Sequence, residues 1–250
     1  MFIIKMIFLW PIFLWTLYRV NSYASRYRKD PAYNPIQQRN DWVLGKCKLL
    51  LWFFGIKVKV EGYEHLGKGP AILTPNHKSN IDPIVLIYAL KKQSKEQGVM
   101  NKIPTFLAKK ELAKKRTVRN ALSLLDTFYV DRQNPRESVK QLASFGTHVK
   151  ENRTFGIVFP EGTRIKENNL GEFNPGAFKV AISNYLPIVP VAISDTREAL
   201  RKTRFKKLIV NVKFLPVQKP NSFITMETHA ISKKIKNQIE GEINVWNNKH

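Results

Sequence analysis

The stretch Ala71–Leu90, AILTPNHKSNIDPIVLIYAL, decides the fold of this chain. It opens with a short apolar run, Ala71–Leu73, which is typical of a buried strand. Pro75 disfavours helix in the residue before it, and Asp82-Pro83 is typical of an N-cap followed by proline at the first helical position. The stretch therefore predicts a strand, a tight turn and a helix.

The turn of this unit carries a histidine and a carboxylate five positions apart. On one regular helix, His77 and Asp82 would point about 140° apart, so they can meet only across a turn. If they do meet, the carboxylate accepts a hydrogen bond from one ring nitrogen while the other nitrogen faces a substrate, as in a general base with its orienting partner. The alternative is that Asp82 only caps the helix and that His77 is an ordinary loop residue.

From residue 56 onward, short apolar runs alternate with helical patterns. Strands are predicted at residues 56–60, 71–73, 105–108, 128–130, 155–159, 188–193 and 208–215. Helices are predicted at about 80–91, 110–124, 135–151, 176–184 and 224–246. This alternation predicts an α/β fold with a layered, largely parallel sheet flanked by helices.

The amino terminus, MFIIKMIFLWPIFLWTLY (residues 1–18), predicts a membrane-associating helical segment. Its length, Lys5 and Pro11 leave open whether it crosses the bilayer or lies in one leaflet, and a cleaved signal peptide is a further alternative. The basic residues that follow are Arg19, Arg26, Arg28 and Lys29. By the positive-inside rule, they predict that the rest of the chain lies on the cytoplasmic face of the cell membrane.

A second apolar stretch, residues 42–54, is too short to span a membrane. It is either a second interfacial helix, with Trp52 and Phe53 toward the acyl region of the lipid, or an ordinary core helix. We therefore divide the chain into an N-terminal membrane-associating helical segment, residues 1–55, and a larger α/β domain, residues 56–250.

The charge balance restricts the partners. The chain has 42 Lys and Arg against 19 Asp and Glu, a net charge of +23, so we expect an anionic partner, either phospholipid or nucleic acid. A basic nucleic-acid-binding protein is the alternative from another class, although the sequence contains no helix-turn-helix, zinc finger or RNA-binding block. The single cysteine, Cys47, excludes an intramolecular disulfide, and we expect no metal because the histidines lack metal-ligand spacing.

Residues whose side chains can transfer protons or bind anions follow four of the predicted strands. In an open parallel sheet the ligand binds at the carboxyl ends of the strands, so we expect these residues to line one cleft. They are His77, Lys109, the pair Asp131-Arg132 and residues 160–164, which belong to the block FPEGTR at 159–164. In that block, Gly162 permits close approach of the backbone and Arg164 offers a planar fork of donors, which suits a phosphate monoester. The alternative is an ion pair of Arg164 with Glu161 at an ordinary turn.

Five blocks in order give the chain a resemblance to the glycerolipid acyltransferases, and within them to the 1-acyl-sn-glycerol-3-phosphate acyltransferases. The blocks are NHKSNID (76–82), KKEL (109–112), FYVDR (128–132), FPEGTR (159–164) and IVPVAI (188–193). The resemblance implies transfer of a fatty acyl group from acyl-CoA or acyl-ACP, with no other cofactor, to the sn-2 hydroxyl of lysophosphatidic acid, giving phosphatidic acid. Shared blocks leave open another acceptor, such as glycerol 3-phosphate or a different lysophospholipid.

The resemblance also implies roles for particular residues and makes residues 56–250 the acyltransferase catalytic domain. His77 and Asp82 match the catalytic His-x4-Asp pair. The residues implied in substrate binding are Asn76, Ser79, Lys109, Arg132, Glu161, Gly162, Thr163 and Arg164. One position departs from the pattern, because Asp126 stands where the second block usually begins with glycine.

The expected mechanism needs no covalent intermediate. His77 takes the proton of the acceptor hydroxyl as it attacks the thioester, and Asp82 orients the ring. Backbone amides near Ser79 and Asn80 are candidates for stabilising the oxyanion. Cys47 has no motif around it, and Ser79 lacks the context of a nucleophile elbow.

Overall fold

A computed structural model describes residues 2–131 and 133–248 of the chain. The strands are β1 (Ile56–Glu61), β2 (Ala71–Pro75), β3 (Pro104–Lys109), β4 (Phe128–Val130), β5 (Phe155–Ile157), β6 (Ile188–Ile193) and β7 (Leu208–Phe214). The α-helices are α1 (Phe2–Lys29), α2 (Ile36–Phe53), α3 (Asp82–Ala89), α4 (Arg116–Ser123), α5 (Pro135–Glu151), α6 (Lys179–Asn184) and α7 (Thr228–Asn247). Every strand predicted from the sequence is thereby confirmed.

The strands form one sheet in the order β1, β7, β6, β2, β5, β3, β4. Neighbouring strands are parallel except β6 and β7, which are antiparallel. The predicted α/β fold with a layered, largely parallel sheet is therefore confirmed. The prediction of one continuous helix at 110–124 was wrong. Lys115 adopts an extended backbone and separates a 3₁₀ turn, Lys110–Lys114, from α4.

Hydrophobic clusters cover both faces of the sheet. In β2, Ala71 and Leu73 enter one cluster and Ile72 enters the other, as the two-residue period of a strand requires. The first cluster includes residues of α1, α2 and α3, and the second includes residues of α5, α6 and α7. Strands β2 and β6 are consequently buried along their whole length, as parallel strands covered on both faces usually are.

Helices α1 and α2 run antiparallel as a hairpin. The ring of Phe13 lies 6.0 Å from that of Phe53, and the ring of Tyr23 lies 4.8 Å from that of Trp42. Val43, Leu44, Cys47 and Leu51 place one face of α2 in the core. Of the two alternatives for residues 42–54, the one that turns Phe53 toward lipid was wrong, because Phe53 is buried with its ring against Phe13 of α1. Trp52, by contrast, is half exposed.

The outer surface of α1 is apolar. Among the side chains of α1 that the structure describes, the exposed large apolar ones are Ile7, Phe8, Trp10, Ile12, Leu14, Trp15 and Tyr18. A cleft of about 440 Å³ between α1 and α2 is lined by three basic side chains, Arg19, Arg26 and Lys29, by Asp30 and by aromatic rings. No helix among the residues that the structure describes has both the length and the apolarity needed to cross a bilayer.

A buried ion pair joins the hairpin to the rest of the fold. The Arg39 guanidinium in α2 donates two hydrogen bonds, of 2.9 and 2.8 Å, to the Asp126 carboxylate in the turn before β4. The Tyr27 hydroxyl of α1 donates a further bond of 2.7 Å to Asp126. Asp126 has a φ of +46°, the left-handed conformation that glycine adopts most easily. The residue that departs from the family pattern thus keeps the glycine-like backbone and connects three elements through its side chain.

Candidate active site

The carboxyl ends of four neighbouring parallel strands lie along one edge of the sheet. β2, β5, β3 and β4 lie side by side in that order, and their pairings are all parallel. Their ends carry His77, the segment from Glu161 to Arg164, Lys109 and Asp131, respectively. Such an edge is the usual ligand site of an open α/β sheet. Arg132, which was predicted to bind substrate, lies outside the described residues.

The structure brings the predicted histidine and carboxylate together across the turn. His77 Nδ1 lies 2.8 Å from Asp82 Oδ2. The Asp82 side chain is almost fully buried, whereas the His77 side chain keeps 17% of its surface exposed. One end of the pair is therefore shielded from solvent, while the imidazole remains accessible from the edge of the sheet.

Hydrogen bonds to Asp82 give the turn its shape. Asp82 Oδ2 accepts bonds from the backbone amides of Lys78 at 2.7 Å and Ser79 at 2.8 Å. Helix α3 begins at Asp82 itself, with Ile81 in the cap position and no capping bond from a side chain. The capping alternative was therefore wrong, because the carboxylate reaches back into the turn. The hydrogen bond to Asp82 Oδ2 also occupies the Ser79 amide, which was predicted to stabilise an oxyanion.

The partners of Asp82 also fix the tautomer of the histidine. With two amides as donors, the buried carboxylate acts as an acceptor, so His77 Nδ1 carries the hydrogen and Nε2 holds the free lone pair. The ring packs against Phe159, with 4.2 Å between the ring centroids. A neutral imidazole in a fixed orientation, with one basic nitrogen available, is suited to general-base chemistry.

Glu161 ties the loop after β5 to residues 76–82, the turn that carries His77 and Asp82 and that we name the catalytic turn. Its Oε2 accepts a bond of 2.7 Å from the His77 amide, and its Oε1 accepts a bond of 3.0 Å from the Gly171 amide. Burial raises the pKa of Glu161, and the two amide bonds oppose that shift. Glu161 thus uses both oxygens on the backbone instead of pairing with Arg164, so the ion-pair alternative for this block was wrong.

The remaining predicted substrate residues occupy two kinds of position. Asn76 is buried, and its side-chain amide exchanges two hydrogen bonds, of 2.9 and 2.8 Å, with the backbone of Ile193. Thr163 and Arg164 are exposed, and Lys109 is half exposed at the end of β3. Gly162 has a φ of +63°, which favours glycine there. Asn76 therefore positions the turn, while contact of any of these residues with substrate stays a prediction.

Two further residues of the site did not stand out in the sequence. Lys78 is buried, and its Nζ donates to the backbone carbonyls of Glu167 at 2.7 Å and Asn169 at 2.6 Å, which holds the loop after Arg164. Thr196 donates a bond of 2.5 Å to Asp82 Oδ1. Thr196 follows β6 by three residues, so the strand-end rule that selected His77 also applies to it.

Two other observations concern the single cysteine and the grouping of possible metal ligands. Cys47 is buried in α2, and burial raises the pKa of its thiol to about 12, which keeps it protonated and unreactive. Within residues 2–131 and 133–248, no three His, Cys, Asp or Glu side chains are grouped so that they could hold a metal ion.

Comparisons with known proteins point to one family. The profile of the Acyltransferase family matches residues 57–194. The chain is 31% identical to the probable 1-acyl-sn-glycerol-3-phosphate acyltransferase of Mycoplasma genitalium over 240 residues, covering 92% of this chain and 86% of that protein. It is 30% identical to the protein of the same name from Mycoplasma pneumoniae, covering 82% of this chain and 77% of the relative.

The fold also has a counterpart among solved structures. The crystal structure of the 1-acyl-sn-glycerophosphate acyltransferase PlsC from Thermotoga maritima superposes with a TM-score of 0.74 at 22% sequence identity. The superposition covers 99% of this chain and 98% of that protein. The whole arrangement, including the N-terminal hairpin, is therefore a known fold.

Proposed function

Because this chain belongs to the acyltransferase family, we propose that it transfers a fatty acyl group from an acyl thioester to the sn-2 hydroxyl of lysophosphatidic acid. The product is phosphatidic acid, a precursor in phospholipid synthesis. The observation that carries the proposal is the contact of 2.8 Å between His77 Nδ1 and the buried Asp82 carboxylate, which leaves Nε2 as a base at the ligand-binding edge of the sheet. The two Mycoplasma relatives, which match most of this chain and are named after this reaction, support the choice of acceptor.

In the proposed mechanism, His77 Nε2 accepts the proton of the acceptor hydroxyl as its oxygen attacks the thioester carbonyl. Asp82 stabilises the imidazolium that forms. The new C–O bond replaces the C–S bond, and the thiolate leaves and takes up the proton from the imidazolium. General-base assistance of this kind contributes about 10²- to 10⁴-fold in rate, so positioning of the two substrates must supply much of the remainder.

The acceptor phosphate binds next to this base in our proposal. Arg164 is exposed on the loop that Glu161 ties to the His77 backbone, and Lys109 stands at the end of β3. Guanidinium and ammonium groups at these positions supply charge-assisted donors for a phosphate monoester. No resident cofactor takes part, and the acyl donor is a substrate bound together with the acceptor.

The experiment that tests this function is mass spectrometry of the products formed by the purified protein. Lysophosphatidic acid is offered with acyl-CoA and with acyl-ACP in turn, and parallel reactions contain glycerol 3-phosphate or lysophosphatidylcholine as acceptor. We expect phosphatidic acid from lysophosphatidic acid, and no product from the His77→Ala variant although it remains folded. Acylation of only another acceptor, or full turnover by His77→Ala, would contradict the proposal.

We place the enzyme on the cytoplasmic face of the cell membrane, with the apolar surface of α1 in contact with lipid. Seven large apolar side chains of α1 are exposed, and the basic side chains of the adjacent cleft suit anionic lipid head groups. Flotation with vesicles that contain anionic phospholipid tests the contact of α1 with lipid. Phe8→Ser combined with Trp15→Ser should reduce flotation, whereas Val139→Ser, at an exposed apolar position of α5 on the other side of the sheet, should not.

A further inference from the structure

Asp82 uses its two oxygens in different ways. Oδ2 accepts the bond from His77 and the two amide bonds that shape the turn. Oδ1 accepts a bond of 2.5 Å from the hydroxyl of Thr196. Asp82 and Thr196 are both fully buried, so this bond is formed away from solvent. A hydrogen bond to a buried carboxylate is among the stronger ones in a protein because the acceptor is charged.

Thr196 reaches Asp82 because β6 is the neighbour of β2 in the sheet. Pro75 pairs with Val191 in this parallel ladder, and Asn76 continues the pairing through its two bonds to Ile193. The loop after β6 therefore runs against the catalytic turn, and Thr196 is three residues beyond the end of the strand. Two independent links thus hold these loops together.

The hydroxyl of Thr196 does not play the role that its backbone position suggests. Thr196 is the cap residue of the 3₁₀ turn Arg197–Leu200, and its carbonyl accepts the Ala199 amide at 2.9 Å. A threonine at a cap normally turns its side chain toward the exposed amides of its own helix. Here the side chain makes no capping bond, and its proton goes to Asp82 instead.

We propose that Thr196 is a positioning residue for acyl transfer, which acts by fixing the rotation of the Asp82 carboxylate against His77. The inference rests on the proposed function of the His77 and Asp82 pair. The last torsion of an aspartate is soft, so donors on one oxygen alone leave the carboxylate plane poorly defined. A donor on Oδ1 from a second loop sets that plane and keeps Oδ2 directed at Nδ1. It also gives a hydrogen-bond partner to the second oxygen of a fully buried carboxylate.

Removal of this donor should change the pH dependence of the base. A carboxylate with fewer donors holds protons more strongly and stabilises the imidazolium more, so the neutral imidazole should be reached only at higher pH. Glu161 of the loop after β5 and Lys78 of the catalytic turn are charged groups next to the pair, and Lys78 in turn interacts with Asp195, Arg197 and Glu167. The substitution removes none of these charges, and Thr196→Ser, which keeps the hydroxyl, shows whether a shift is due to the lost donor.

The test compares Thr196→Val, which removes the donor while keeping the shape, with Thr196→Ser, which retains it. We expect kcat of Thr196→Val to fall about 10- to 100-fold, because one hydrogen bond to a charged group is lost. The KM for each substrate should remain nearly unchanged. The acid limb of kcat/KM, measured between about pH 5 and pH 9, should move to higher pH. Thr196→Ser should restore both the rate and the acid limb.

Thr105→Val is the matched control for a purely structural role. Thr105 is also fully buried, and its hydroxyl bonds to that of Thr154 at 3.0 Å in the sheet interior. We expect it to lower the thermal midpoint as Thr196→Val does but to leave the acid limb in place. Equal kinetics in the two valine variants, or failure of serine to restore the pH profile, would overturn the proposal.

An NMR titration of the His77 ring separates this inference from the proposed function. The titration needs no substrate, and its midpoint should rise in Thr196→Val and return in Thr196→Ser. If the wild-type protein does not acylate lysophosphatidic acid, the proposed function fails while the titration still decides the role of Thr196. If the valine variant does not fold, Thr196→Ala is titrated in its place, and an unchanged midpoint in that variant would overturn the inference.

Discussion

Asp126→Asn is expected to weaken the fold strongly because it breaks the buried pair that connects the hairpin to the turn before β4. The side chains of Arg39 and Asp126 are only 5% and 16% exposed. The other hydrogen bonds of the guanidinium go to the neutral carbonyls of Asn34 and Leu124. In the variant the positive charge of Arg39 therefore stays buried without a counter-charge.

The size of the loss follows from these contacts. Removal of one partner from a buried pair destabilises a protein by about 3 to 5 kcal/mol. Asparagine keeps one oxygen that can accept a single bond from Arg39, and Asp126 is not wholly shielded from water. We therefore expect the lower end of that range, a decrease of about 3 kcal/mol in the free energy of unfolding.

Two further substitutions separate the ion pair from the backbone strain. Asp126→Gly and Asp126→Ala both remove the carboxylate, but only alanine retains a Cβ at the φ of +46°. The alanine variant should therefore be less stable than the glycine variant by about 1 kcal/mol. Equal stability of these two variants would show that the left-handed backbone carries no cost at this position.

Urea-induced unfolding of the solubilised protein, followed by tryptophan fluorescence, measures these differences. The double variant Arg39→Met with Asp126→Asn removes both charges, so its loss should be smaller than the sum of the two single losses by about 2 kcal/mol. A decrease below about 1 kcal/mol in Asp126→Asn, or strict additivity in the double variant, would refute the reasoning.

Three other predictions concern the site and its surroundings. Arg164→Ala should raise the KM for lysophosphatidic acid by an amount equivalent to about 1.5 to 3 kcal/mol, the value of one charge-assisted contact; an unchanged KM in steady-state assays would argue against phosphate binding by Arg164. Lys78→Met should also raise the KM for the acceptor more than it lowers kcat, because the carbonyls of Glu167 and Asn169 lose their common donor, and the opposite split would assign Lys78 to the chemical step. Because burial raises the pKa of the Cys47 thiol to about 12, a thiol reagent near neutral pH should label Cys47 only after unfolding, and labelling of the folded protein at the unfolded rate would contradict this expectation.

Much of this site is predictable because its signals are local. The apolar run before His77 and the proline after Asp82 identify the strand, turn and helix without any knowledge of the rest of the chain. The same strand-end rule selects Lys109 and the loop of Glu161 and Arg164. What the local pattern cannot distinguish is a side chain that contacts substrate from one that holds the backbone. Binding of substrate by Asn76 and Glu161 stays a prediction, and the structure adds that their polar atoms bond to the main chain of neighbouring segments.

The sequence by itself determined where the strands lie, the His-x4-Asp unit and the family. Hydrophobic period and residue spacing suffice for this because they are properties of neighbouring positions. Only the tertiary structure decided the order of the strands and, with it, the pairs formed across long separations: Thr196 with Asp82 over 114 positions, and Arg39 with Asp126 over 87. The physical reason is that such pairs depend on which strands become neighbours in the sheet and on which helices pack against them. Burial of both faces of the sheet selects that arrangement collectively. The residues next to Thr196 or Arg39 in the sequence do not indicate which carboxylate each side chain will bind.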